Sequence, residues 1–248
     1  MAISTRHASW EIPPDRKAAA VWLGIFWIGI LIGFGVDFPE FLRQQPAPPG
    51  IVYLHAVVFV GWLVLVTAQV ALVLSGRLSL HRQIGRFGTY IAGLMVLLGL
   101  ATALTVIGRY HFPPESLALN LVDLLGLFVF VALGIHYRTN PAVHKRMMML
   151  AMVSITDPGY SRAIEYIYPD LKTPLDWFLG TFYANVLLVA LMFGWDLFRR
   201  QRVHPALLIG GTALLAAELV TAFLNFSPAW NAVAGSIVHA WGYTGGTP

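Results

Sequence analysis

At 248 residues the chain is long enough for one or two soluble domains, but 57% apolar residues against 11% charged leave too little polar surface to solvate a globule. With no cysteine, disulfides, thiolate metal sites and thiol nucleophiles are excluded, and metal chemistry falls to His, carboxylates or Met. The net charge of +4 comes in clusters between apolar runs, which speaks for membrane topology and against nucleic acid as a partner.

Crossing about 30 Å of hydrocarbon takes about 20 apolar residues. Seven runs meet that length: 18–36, 51–75, 87–108, 117–137, 147–168, 174–198 and 205–226. The expected fold is therefore an all-α polytopic membrane protein with seven transmembrane helices. The first run follows Arg6, Glu11, Asp15, Arg16 and Lys17 without a small-residue cleavage site, so it is expected to remain as a span. In the fifth, Asp157-Pro158-Gly159 precedes Arg162 and Glu165, and a broken helix is expected there. The last segment, 228–241, is apolar but too short to span, and is expected at the outer interface with Trp230 and Trp241 as anchors.

Twelve of the sixteen Lys and Arg residues fall in alternate loops, among them Arg77, Arg82 and Arg86, then Arg138, Lys145 and Arg146, then Arg199, Arg200 and Arg202. The positive-inside rule places those loops in the cytoplasm, with the N-terminus inside and the C-terminus outside. One transmembrane domain, 1–248, results. It comprises a cytoplasmic N-terminus (1–17), a four-helix core (51–168) and an outer interfacial tail (227–248). Leu80-His81-Arg82 and Val143-His144-Lys145-Arg146 form a faint repeat that suggests two related hairpins around that core.

Two constellations carry possible chemistry. His81 and His144 open the third and fifth helices at the cytoplasmic face. As neutral imidazoles on facing helices they could ligate a haem iron, with Gly85 leaving room for the ring, Arg82, Arg86 and Arg146 pairing propionates, and Met148 an alternative axial ligand; equally, both histidines could simply cap helix ends. The second constellation is a polar cavity toward the outside. His55 and Gln69 share a stripe of the second helix with Trp62, while Asp123, Asp157 and Glu218 reach a similar depth on three others. Carboxyls at that depth mark a ligand site or a structural charge network, with Arg162 as the expected counter-charge and Asn120, Tyr183 and Asn185 as hydrogen-bonding candidates. No HExxH, GxSxG or GxxxxGK motif occurs, and the seventh run holds no Lys for retinal, so no catalytic residue is assigned.

Gln69, His81-Arg82-Gln83-Ile84-Gly85-Arg86, His144-Lys145-Arg146-Met147-Met148 and Arg162 together resemble a family of bacterial multi-pass membrane proteins known only as a predicted domain of unknown function. Its pattern is a Gln in one span, HR-x-x-GR opening the next, and H-[RK]-x-x-M opening a later span that ends in Arg. The match covers about half the chain. More distantly, such a four-helix core with recurring His is similar to the haem-binding cytochrome b superfamily. These resemblances imply a protein of the bacterial inner (cytoplasmic) membrane that binds haem b and exchanges electrons with a lipid-soluble quinone. The alternatives are a transporter or small-molecule binder using the outer cavity, and a non-catalytic subunit of a larger membrane complex or homo-oligomer.

Overall fold

The computed structural model describes residues 14–165 and 172–242, with side chains placed for 17–162 and 172–242. The expectations for 1–13, 166–171 and 243–248 lie outside the described residues. Eight α-helices follow one another: α1 Pro14–Arg43, α2 Gly50–Leu74, α3 Leu78–Tyr110, α4 Leu117–His136, α5 Pro141–Glu165, α6 Pro174–Arg200, α7 Pro205–Asn225 and α8 Pro228–Ala240. A single 3-10 turn, Pro114–Ser116, leads into α4. Among the described residues there is no strand.

Among the described residues six segments are long and apolar enough to cross a membrane: Lys17–Arg43, Gly50–Leu74, Leu78–Tyr110, Pro114–His136, Pro174–Arg200 and Pro205–Asn225. The chain is thus a multi-pass membrane protein. Helix α5 is absent from that set, and its surroundings explain why. It sits in the middle, packed on α1, α4, α6 and α7, and from Met149 to Asp157 every residue is buried. A helix enclosed by other helices meets little lipid and can carry Ser154, Thr156 and Asp157 where a lipid-facing helix could not. The block expected as a four-helix core contributes α4 and α5 to this centre, while α2 and α3 pair with each other along one flank.

The expected break at Asp157-Pro158-Gly159 does not occur, for α5 runs through Pro158 to Glu165. Proline removes one helix hydrogen bond, the one to the Ser154 carbonyl, a local cost that packing on neighbouring helices can offset. Just past the proline, Arg162 donates to the Pro158 carbonyl and Tyr183 of α6 donates to the Tyr160 carbonyl at 3.2 Å, bonds that hold the helix end in place. Gly159 serves close packing instead of a turn. A Cβ there would meet the Gly29 carbonyl of α1 at 2.8 Å, and a Cβ at Gly33 would fall on the Gly159 carbonyl. Gly29 and Gly33 form a GxxxG pair of the kind that lets membrane helices touch backbone to backbone. Tyr160 adds a hydrogen bond of 2.6 Å to the Ile25 carbonyl.

Helix α3 starts at Leu78, ahead of the apolar run that begins at 87 and just before the His81 expected to open it. Gly76, at φ 73°, takes the left-handed conformation that ends α2, and nothing in Leu78–Arg86 opposes helix. His81, Arg82 and Arg86 therefore ride on the first turns of α3. Contacts fix the register of the bundle. Gly88 of α3 faces Trp62 and Leu65 of α2, Gly99 faces Leu124 of α4, and Gly126 of α4 faces Ser154 of α5. The α2–α3, α4–α5 and α6–α7 connections accordingly gather at one end, the basic end. At the opposite end Arg109 and Tyr110 donate to the Ala47 and Pro46 carbonyls, each at 3.1 Å. The tail is a helix docked on protein. Ala234 and Val238 of α8 are buried against Leu104, Ile107 and Leu117, Trp230 donates to the Glu115 carbonyl at 3.0 Å, and Trp241 donates to Thr105 at 3.3 Å.

Candidate functional site

At the basic end the antiparallel run of α4 and α5 and the α2–α3 hairpin bring His81 and His144 together. Their ring centroids lie 6.3 Å apart with planes at 88°. Each ring is oriented by a backbone carbonyl that a preceding helix presents. His144 Nδ1 is 2.7 Å from the Gly134 carbonyl of α4, and His81 Nδ1 is 3.4 Å from the Gln69 carbonyl of α2. A carbonyl only accepts, so each Nδ1 is the donor and each Nε2 keeps its lone pair. That is the arrangement in which a metal-ligating imidazole is oriented by its second nitrogen. Gln69 shares this site through its side chain as well, its Oε1 standing 3.6 Å from where a Gly85 Cβ would be, with Nε2 buried and lacking a hydrogen-bond partner. Gln69 thus belongs with the histidine pair and lies about 21 Å along α2 from His55.

The other residues expected here divide. Arg82 and Arg86 are exposed on the first turns of α3. Met148 packs over Gly134, where a Cβ would stand 2.8 Å from its sulfur. Arg146 is buried in a two-pronged ion pair with Asp196 of α6, Nε to Oδ2 at 3.1 Å and Nη2 to Oδ1 at 2.5 Å. Asp196 also accepts from the His204 backbone N–H at 3.1 Å, so α5, α6 and the start of α7 are tied at one point. Sequence reasoning missed Asp196, and the signal was a lone acid among the basic residues of a positive flank. Just before α7, His204 accepts from the Ala206 N–H through Nδ1 at 3.2 Å. Partial burial, then the Arg146 charge, hold its imidazole below the usual range.

Toward the opposite end the acidic residues converge as the depth argument anticipates. Asp123 of α4 lies within electrostatic reach of Asp157 of α5 and Glu218 of α7. All three are buried. Asn185 of α6 completes the group, donating from Nδ2 to Glu218 Oε1 at 2.7 Å, and the Tyr183 phenol senses Asp157. Arg162 lies further out. It is ion-paired with Asp37 of α1 and sits over the Phe34 ring at 4.6 Å, a cation–π contact. Asp37, directly after the first apolar run, is a second residue that sequence reasoning missed. His55 stacks on Phe59 at 3.9 Å and feels the Arg162 charge. Asn120 turns away to its own helix, donating to the Ser116 carbonyl at 3.0 Å.

Two sites thus stand at opposite ends of α5, an imidazole pair at the basic end and a carboxyl–amide cluster toward the other. No protein-family model, no curated protein and no solved structure matches this chain.

Proposed function

We propose that the chain is a membrane redox protein that binds one b-type haem at the basic end, with His81 of α3 and His144 of α5 as the axial pair. The observation that carries this reading is that both Nδ1 atoms are committed to backbone carbonyls, which leaves two Nε2 lone pairs on rings 6.3 Å apart. An imidazole–metal bond is about 2.0–2.1 Å, so two rings bonded end-on to one metal ion from opposite sides have centroids on the order of 6 Å apart. Gly85 keeps side-chain bulk out of the site, the buried Gln69 Nε2 supplies a donor in need of an acceptor, and exposed Arg82 and Arg86 supply cations for propionates. Arg146 is already satisfied by Asp196 and takes no part. Haem, when bound, supplies one-electron chemistry. The chain's own contribution is to hold two neutral imidazoles in one tautomer and to limit water beside them.

Helix α5 is read as a seventh crossing, because it lies antiparallel along the whole of α4, from His144 beside Gly134 to Asp157 beside Asp123. With the basic loops in the cytoplasm, the imidazole pair then stands at the inner face of a bacterial inner membrane. A lipid-soluble quinone is the electron partner this reading favours. It is supported by a shallow apolar surface between α1 and α6 at the same end, lined by Trp22, Leu191, Trp195 and Phe198.

Absorption spectroscopy of the protein purified in detergent from haem-replete cells tests the assignment. The reduced protein should show a Soret band with the sharp visible bands of low-spin, six-coordinate iron. His81→Ala and His144→Ala should each abolish or broaden them, while His55→Ala should leave them intact. A colourless preparation, or a spectrum kept in both of the first two variants, rejects the site.

A further inference from the structure

The carboxyl–amide cluster between α4, α5, α6 and α7 takes no part in the redox reading, and it contains a mismatch that points to a ligand. Asn185 and Glu218 are both fully buried and joined by one hydrogen bond, Nδ2 to Oε1 at 2.7 Å. Their two remaining polar atoms, Asn185 Oδ1 and Glu218 Oε2, are acceptors buried without a donor. Buried acceptors are seldom left unserved, since nothing replaces the water they gave up. Both orphans belong to side chains that already face each other. One proton on Glu218 Oε2, donated to Asn185 Oδ1, would satisfy the pair at a stroke and close the two-bond ring that a carboxylic acid forms with an amide.

We propose that this cluster is a proton-binding site, with the exchangeable proton held on Glu218 and shared with Asn185. Asp123 of α4 is the ionisable group that faces Glu218 across the cluster, Asp157 of α5 in turn faces Asp123, and Tyr183 of α6 faces Asp157. Buried carboxyls that interact cannot all carry charge in a dry site, so a proton that leaves Glu218 has Asp123 as an acceptor within electrostatic reach. Tyr183, which bonds the Tyr160 carbonyl, and the Arg162–Asp37 pair beyond it lead from the cluster toward the end away from the basic loops. The ligand class is a proton, because the two unserved acceptors belong to side chains already joined by one hydrogen bond, and a single hydrogen between them serves both.

Infrared difference spectroscopy of the full-length protein at neutral pH provides the test. The wild type should show the carbonyl stretch of a protonated carboxylic acid that shifts in heavy water and is lost in Glu218→Gln. That variant keeps shape and offers an amide N–H to Asn185 Oδ1, so its melting temperature should be unchanged. Asn185→Leu should move the band to higher frequency by freeing the acid from its partner. Absence of the band, or its persistence in Glu218→Gln, overturns the proposal, and so does its disappearance when sodium is added at constant pH, which would reassign the site to a metal cation. Should Glu218→Gln fail to fold, an apolar carbodiimide decides on the wild type, since it forms an adduct with protonated carboxyls in apolar surroundings. Labelling of Glu218 supports the site and a clean Glu218 rejects it. The outcome is independent of the haem spectrum.

Discussion

Arg146 and Asp196 are exposed to only 5% and 3%, so each side chain is the other's main compensation for leaving water. Removing one partner of a buried pair strands a charge and costs about 3–5 kcal/mol, whereas replacing both with apolar side chains of similar volume is close to neutral. Arg146→Met alone should therefore lower thermal stability in detergent sharply. Arg146→Met with Asp196→Leu should recover most of the loss, and failure of that rescue would show that the pair does more than join α5 to α6. His204, which caps α7 only while neutral, gives a pH signature. Its folded-state pKa lies below the unfolded value, so the cap is fully present above about pH 6.5 and weakens as pH falls below that. Melting temperatures from about pH 7.5 to 5.5 should drop more steeply for the wild type than for His204→Asn, which caps without titrating. At this scale the histidine pair was legible because both residues stand at the starts of apolar runs beside Arg or Lys. Asp196 was not, because nothing in a sequence shows that a residue 50 positions away will supply its counter-charge. Gln69 was grouped with His55 because the two share one continuous stripe, and only the backbone carbonyl it offers to His81 shows which residues it stands beside.

Hydrophobic run length recovered the helices that face lipid, and it was weakest for the one that does not. The contact between α1 and α5 shows what a hydropathy profile leaves out, for it depends on the absence of side chains. Gly33→Ala and Gly159→Ala should each force the two backbones apart and cost about 1–3 kcal/mol as overpacking. Gly24→Ala and Gly35→Ala lie on the same helix with nothing within 4 Å of the added methyl. They should be neutral or stabilising by up to about 1 kcal/mol through helix propensity. Thermal unfolding of the four single variants compares the two classes directly, and equal effects in all of them would refute the close-packing account. The unbroken course of α5 was illegible because the cost of one missing hydrogen bond is offset by packing against α1, α4, α6 and α7, which the sequence does not show. Arg162 and Tyr183 add bonds to the carbonyls just past the proline, from positions that periodicity does not reveal.

For the molecule as a whole, the distribution of Lys and Arg gives a topology that gene fusions can check. Reporters placed at Gly76 and Asn140 should read as cytoplasmic, and reporters at Pro49 and Gly242 as external. An external reading at Asn140 would put the imidazole pair on the other face of the membrane, and a cytoplasmic reading at both Asn140 and Gly242 would remove the crossing of α5. The enclosure of α5 also bears on how the protein is made. A segment is released from the translocation channel into lipid roughly according to its own apolarity, and charged residues near its centre weigh heavily against release. Helix α5, with Asp157 near its middle and Arg162 beyond, is poorly suited to enter alone. Its chain position offers a remedy, since α1 and α4, two of the helices that enclose it, have left the ribosome before it emerges. In a test of membrane integration, α5 placed singly in a carrier protein should be translocated through the channel, while α4 and α5 together should be retained as a hairpin. The residues that make this helix the centre of the finished protein thus also make it a latecomer that needs its neighbours already waiting.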